Sequence, residues 1–226
     1  NLLDWKHLDQ RKPLLLKGAR QVGKTYILKA FGQKEFPHYH HFDFTKDKKL
    51  CTVFEDSLDP LEIIRRLEIK YDLKINAGED LIIFDEIQEC PRAITALKYF
   101  CDDLKKSTII GSGSFLGLSL TSDAYPVGKV KTETLYPMSF FEFLEGLEKT
   151  NLLTEIVDGT SKNKISKTVH EKAWEYFKYF LITGGLPEVV QTFKDHANNL
   201  PQAFIKVREL QTEILDNYAS DIAKHS

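Results

Sequence analysis

The chain has 226 residues, 42% of them apolar, with 31 basic and 33 acidic side chains and a formal charge of −2. This supports one sizeable α/β domain with a smaller appendage, and the near-neutral balance excludes a global field pulling the protein onto nucleic acid or anionic lipid. No apolar run approaches the roughly 18 residues of a membrane span, and no secretory pattern opens the chain. Cys51, Cys90 and Cys101 share no metal-type spacing, so the sequence reads as a cytoplasmic protein without membrane contact.

In chain order, the apolar residues 14–16 predict a first strand. It runs into Gly18-Ala19-Arg20-Gln21-Val22-Gly23-Lys24-Thr25, a glycine, four residues, then glycine, lysine and a hydroxyl residue. A helix is expected from 24 to about 31. In this setting the glycines let the backbone curl so that its N–H groups face phosphate oxygens, and the helix adds its positive end. Lys24 brings a charge to the outer phosphates, and the Thr25 hydroxyl can join the octahedral shell of Mg²⁺. All eight residues are therefore candidates for binding ATP with Mg²⁺, with Lys24 also catalytic and Thr25 a metal ligand.

A second strand is expected at 39–44 and a helix at 61–71, where Leu61, Ile64, Leu67 and Tyr71 recur at helical spacing. Residues 81–84 form an unbroken apolar run, which suits a central strand covered on both faces. It ends in Asp85-Glu86, at the strand edge where parallel sheets bind ligands. Asp85 is read as holding the metal through water, and Glu86 as the catalytic base that polarises an attacking water. A carboxylate beside the metal-binding aspartate favours hydrolysis over transfer to a bound alcohol. A helix at 93–104 and a strand at 108–110 lead to Gly111-Ser112-Gly113-Ser114, read as a turn in which Ser112 orients the water or senses the terminal phosphate. A dinucleotide fingerprint across 111–117 fails on spacing. A last strand is expected at 130–135.

From Ser139 onward the strand signals stop, and helical periodicity appears at 139–147, 170–182, 187–193 and 202–219. The Lys-, Ser- and Asn-rich stretch 159–167 reads as a linker. The expected division is an α/β core over 1–150 and a helical lid over 151–226. The chain opens at Asn1 without methionine and ends at Ser226 after a helical segment, which reads as a piece of a longer protein.

Together GARQVGKT, LIIFDEIQ, IIGSGS, LYPMSFFEFL and YFLITGGLPEVV resemble a family of bacterial and archaeal AAA-type ATPases, whose members usually continue into a C-terminal domain of unclear function. The first three motifs are shared by many ATPases; the steps at Pro137 to Phe140 and at Gly184 to Pro187 are more particular to this family. The resemblance implies a P-loop NTPase fold, a five-stranded parallel sheet with a helical lid, and ATP with Mg²⁺ as ligands. It implies the roles given above for Lys24, Thr25, Asp85 and Glu86, and makes Ser112 the sensor on the fourth strand. It also implies that Gly185 and Pro187 pack on the adenine, against the alternative of an ordinary turn with Pro187 opening the next helix. Relatives tend to have Gly-Arg where this chain has Gly128-Lys129, and lysine cannot reproduce a bidentate arginine contact; this weighs against activation in trans if that arginine reaches a neighbouring subunit's phosphate, and changes little if it is structural. The partners implied are a second copy of the chain, an unknown protein, or a C-terminal domain.

Other signals carry blander readings. His38, His40, His41 and Asp43 match no common zinc ligand set. Lys46, Lys48 and Lys49, and Lys162, Lys164 and Lys167, read as solvated loops rather than a nucleic-acid surface. Trp174, Phe177, Phe180 and Leu181 fall at helical spacing and read as lid core. The leading function is an ATPase that couples nucleotide state to lid or partner movement; the alternative is a slow nucleotide-gated switch. A phosphotransferase is disfavoured, with Arg65, Arg66 and Arg208 its only support.

Overall fold

The computed structural model describes residues 2–114, 126–161 and 164–225. Two compact units divide between Tyr136 and Pro137. The first carries α1 (Leu2–Lys6), β1 (Leu14–Lys17), α2 (Lys24–Glu35), β2 (Tyr39–Asp43), α3 (Pro60–Tyr71), β3 (Leu81–Asp85), α4 (Pro91–Asp103), β4 (Thr108–Gly113) and β5 (Lys131–Thr134). Short 3-10 helices at Lys48–Phe54 and Ile87–Glu89 join them.

The strands form one parallel sheet in the order β2-β3-β4-β1-β5. Successive side chains of a strand point to opposite faces, so a run apolar at every position serves two cores. Leu14, Leu16, Leu81, Ile83 and Ile110 pack with Trp5, Leu28 and Phe31 on one face. Leu15, Ile82, Phe84 and Ile109 pack with Ile63, Leu67, Leu97 and Phe100 on the other. With the phosphate loop joining β1 to α2, this is the strand, loop and helix arrangement of a P-loop NTPase.

One expected turn is a strand. β4 runs through Gly113 because Gly111 and Ser112 pair with Leu15 and Leu16 of β1. Gly111 allows a close approach there, since a Cβ would meet Ile87 and Leu15 side chains at 3.0 and 3.1 Å. Gly117, the end of the segment whose spacing fails as a dinucleotide fingerprint, lies outside the described residues.

The second unit holds α5 (Phe140–Gly146), α6 (Thr150–Ser161), α7 (Lys167–Thr183), α8 (Pro187–Asp195) and α9 (Leu200–His225). A reciprocal cap opens α5: the Ser139 hydroxyl accepts the Glu142 N–H, and the Glu142 carboxylate accepts the Ser139 N–H. Phe143, Val189, Val190, Phe193, Ala203 and Val207 form the core, with Tyr179, Phe180 and Phe204 packed against it. Helix α6 was not expected, because Gly159 and its β-branched Thr and Val residues are weak helix formers. It takes in the start of the expected linker, of which Lys162 lies outside the described residues.

The aromatic stripe on α7 is only partly core. Trp174 is 51% and Leu181 65% exposed, while Phe180 packs inward beside Tyr176 and Tyr179. The buried face is rotated from the one read by spacing, and Trp174 stacks on Phe177 at 5.7 Å along its margin. No helix among the described residues is long and apolar enough to cross a membrane.

Candidate functional site

Strand β1 lies between β4 and β5 and delivers the loop at residues 18–25 to the carboxyl edge of the sheet. A side chain at Gly18 would collide with the Leu135 carbonyl oxygen beyond β5. Gln21 and Gly23 take left-handed conformations, with φ of 62° and 93°. Gly23 is the N-cap of α2 without any side-chain cap, and no acidic residue stands in the first turn. The first N–H groups of a helix have no partner within it, so this end is open to an anion.

Lys24 is buried. Its ammonium donates to the carbonyls of Gly18 at 3.0 Å and Ala19 at 2.8 Å, and to the Ser114 hydroxyl at 3.1 Å. Burial lowers its pKa, the charges of Glu86 and Asp85 oppose that, and nearby Arg20 adds to the lowering. Three neutral acceptors are what phosphate oxygens would displace, since charge-assisted hydrogen bonds are the stronger ones.

Asp85 ends β3 and is buried. Its Oδ2 accepts the Thr25 hydroxyl at 2.6 Å and the His41 Nε2 at 3.0 Å. Its Oδ1 accepts the buried Ser112 hydroxyl and the Glu86 backbone N–H at 3.2 Å. Burial alone would raise this carboxyl, but the hydrogen bonds from His41, Ser112 and Thr25, with the charge of His41, hold it at about 2.

Glu86 has a left-handed backbone, φ 50° and ψ 45°. Strain of this kind gathers at functional sites. Its Oε1 accepts the Ser114 hydroxyl at 3.1 Å, and its Oε2 the Gln88 side-chain amide at 2.6 Å. The other amide atom, Gln88 Oε1, is buried without a partner among the described residues.

The donor set fits Mg²⁺. Among the described residues no group of three or more His, Cys, Asp or Glu side chains can hold a metal. A cation here would depend on the Thr25 oxygen, the Asp85 carboxylate, water and phosphate oxygens, which is the way Mg²⁺ is bound beside nucleotides.

The first unit thus brings together Lys24, Thr25, Asp85, Glu86 and Ser112. Three partners in the same network escaped the sequence reading: His41, Ser114 and Gln88. The missing signal for His41 was the β2–β3 register, Asp43 beside Asp85, which sets His41 on the same face as that carboxylate. Its neighbour His40 instead meets Asp80, at 3.1 Å, and Asp43 caps a turn at Thr45. Lys129 pairs with Asp102 at 2.6 Å. Arg65 and Arg66 both pair with Glu62.

The second unit gives its motif residues a packing role. The Met138 N–H donates to the Gly185 carbonyl at 2.7 Å, and a side chain at Gly185 would collide with the Met138 backbone. Pro187 occupies the first turn of α8.

A family model described as an AAA domain matches residues 10–144. No curated protein sequence matches the chain. Among solved structures, C. elegans PCH-2 is similar at 17% identity and a TM-score of 0.48, over 95% of this chain and 65% of that one. A structure of Drosophila ORC bound to DNA is similar at 12% identity and a TM-score of 0.48, over 94% and 62%. The chain therefore spans less than two-thirds of the length of either.

Proposed function

Since the chain belongs to the AAA-domain family through residues 10–144, a family of nucleotide-binding ATPases, we propose that its first unit binds Mg-ATP at the carboxyl edge of the sheet and hydrolyses it. The observation that carries this reading is the 2.6 Å hydrogen bond from Thr25 to Asp85. It joins the residue after the loop lysine to the acid on the next-but-one strand of the sheet, and leaves the Thr25 oxygen lone pairs for a hard cation.

In this reading the backbone N–H groups of residues 18–24 and the Lys24 ammonium hold the phosphates. Mg²⁺, when bound, neutralises phosphate charge and so favours attack at the terminal phosphorus. Glu86 releases Ser114 or Gln88 and accepts the proton of the attacking water. The contact of Gly185 and Pro187 with adenine is carried by the resemblance alone. Hydrolysis would drive movement of the helical unit or of a protein partner, in a cytoplasmic protein that acts as a homo-oligomer or in complex. Three free cysteines suit that compartment.

The test is phosphate release from Mg-ATP over a range of protein concentrations. Glu86→Gln should slow release by about two to four orders of magnitude, as for loss of a general base, with nucleotide binding kept. Undiminished release in that variant removes Glu86 from the mechanism.

A second reading is a slow nucleotide-gated switch, and two observations favour it. Both Glu86 carboxylate oxygens already accept hydrogen bonds, and Lys129, where the resembled family tends to have arginine, is paired with Asp102 of its own chain. Tight nucleotide binding with no release at any protein concentration would select this reading.

A further inference from the structure

We propose that His41 is a positioning residue for the metal-nucleotide site, acting through Asp85 and not on the nucleotide; this rests on the Mg-ATP reading above. An ionised carboxylate offers about four lone-pair sites. At Asp85 four donors are present: Thr25 and His41 on Oδ2, Ser112 and the Glu86 N–H on Oδ1. Because the carboxylate only accepts, the contact assigns the proton to His41 Nε2.

The four donors are not equivalent. The Thr25 and Ser112 hydroxyls each turn about a single bond and can find other acceptors, phosphate oxygens among them. The Glu86 N–H belongs to the chain that follows Asp85 and moves with it. His41 alone is a rigid planar donor from another strand, and its side chain is 14% exposed. It fixes the carboxylate plane from the edge of the sheet, on β2, whereas the other donors come from the α2, β3 and β4 region.

This matters for the metal because Thr25 shares Oδ2 with His41. While Oδ2 is held in place, the Thr25 proton is directed toward Asp85 and the oxygen lone pairs point elsewhere. A hydroxyl must be oriented in that way to ligate a hard cation. Without His41, the carboxylate can pivot about its terminal torsion, and the Thr25 hydroxyl loses its fixed acceptor. Outer-shell partners of this kind orient metal ligands in many sites.

The experiment follows binding of a fluorescent ATP analogue to the whole chain while Mg²⁺ is titrated. His41→Leu, which fills the space without a donor, should raise the half-effective Mg²⁺ concentration by roughly tenfold or more. Affinity for the same analogue in EDTA should not change, while the melting temperature should fall modestly in His41→Leu, as for a buried carboxylate that loses one donor, and recover in His41→Gln. His41→Gln, whose amide restores a donor at similar reach, should recover most of the loss. An unchanged Mg²⁺ dependence in His41→Leu, a loss that His41→Gln does not recover, or an equal loss with and without Mg²⁺ overturns the proposal. If the unmodified chain binds the analogue without regard to Mg²⁺, or not at all, the Mg-ATP reading itself fails and the role of His41 falls with it.

Discussion

In the first unit the tightly constrained positions are polar and crowd a single carboxylate, Asp85; in the second they are backbone atoms crowding a single glycine, Gly185. Around Asp85 the constraint is electrostatic: a buried charge is tolerated because every acceptor site has a donor. Around Gly185 it is steric, since the Met138 backbone occupies the place of a side chain. The widely shared ATPase motifs thus follow from charge and hydrogen bonding. The two motifs more particular to the resembled family, at Pro137 to Phe140 and Gly184 to Pro187, meet each other in the second unit and are explained by close packing.

Substitutions can break or sharpen this contrast. The largest effect is expected from Lys24→Ala, which should weaken Mg-ATP binding by on the order of 100-fold through loss of charge-assisted bonds and leave chemical stability near that of the parent. Isothermal titration checks the first part and denaturant unfolding the second. Gly185→Val should show the opposite pattern, a loss of about 1–3 kcal/mol in stability from overpacking, read in a urea titration. Should Gly185→Val instead keep its stability and lose the preference for ATP over GTP, the glycine serves the base and the contrast between the units dissolves. The smallest effect is expected from Gln88→Ala. Releasing one hydrogen bond of about 1 kcal/mol from the Glu86 carboxylate should raise basal phosphate release by roughly threefold to tenfold. A fall in rate would mean that Gln88 holds Glu86 in its working pose.

The placement of the loop at 18–25 between β1 and α2, and of Asp85 at the end of β3, was legible because it lies in short-range spacing beside an apolar run. What remained hidden depends on pairings that spacing does not encode. His41 meets Asp85 only through the parallel register of β2 and β3. Ser114 reaches both Lys24 and Glu86 only because β4 lies between β3 and β1. Ser112 looked like a turn residue because its flanking glycines are turn formers, yet pairing with Leu16 extends the strand through it. Gly185 packs on the Met138 backbone, and nothing near it in sequence announces Met138, 47 positions earlier. Helix α6 escaped because local propensity is weak there, and packing beside α5 and α7 decides instead.

The left-handed backbone of Glu86 sets folding against chemistry at a single residue. A side chain in that conformation costs about 1–2 kcal/mol, which glycine would avoid. A search that rewarded only robustness would therefore drift toward glycine here and discard the one carboxylate assigned to the attacking water. Under the proposed hydrolysis, position 86 is a place where a hardier protein and a working one are different sequences.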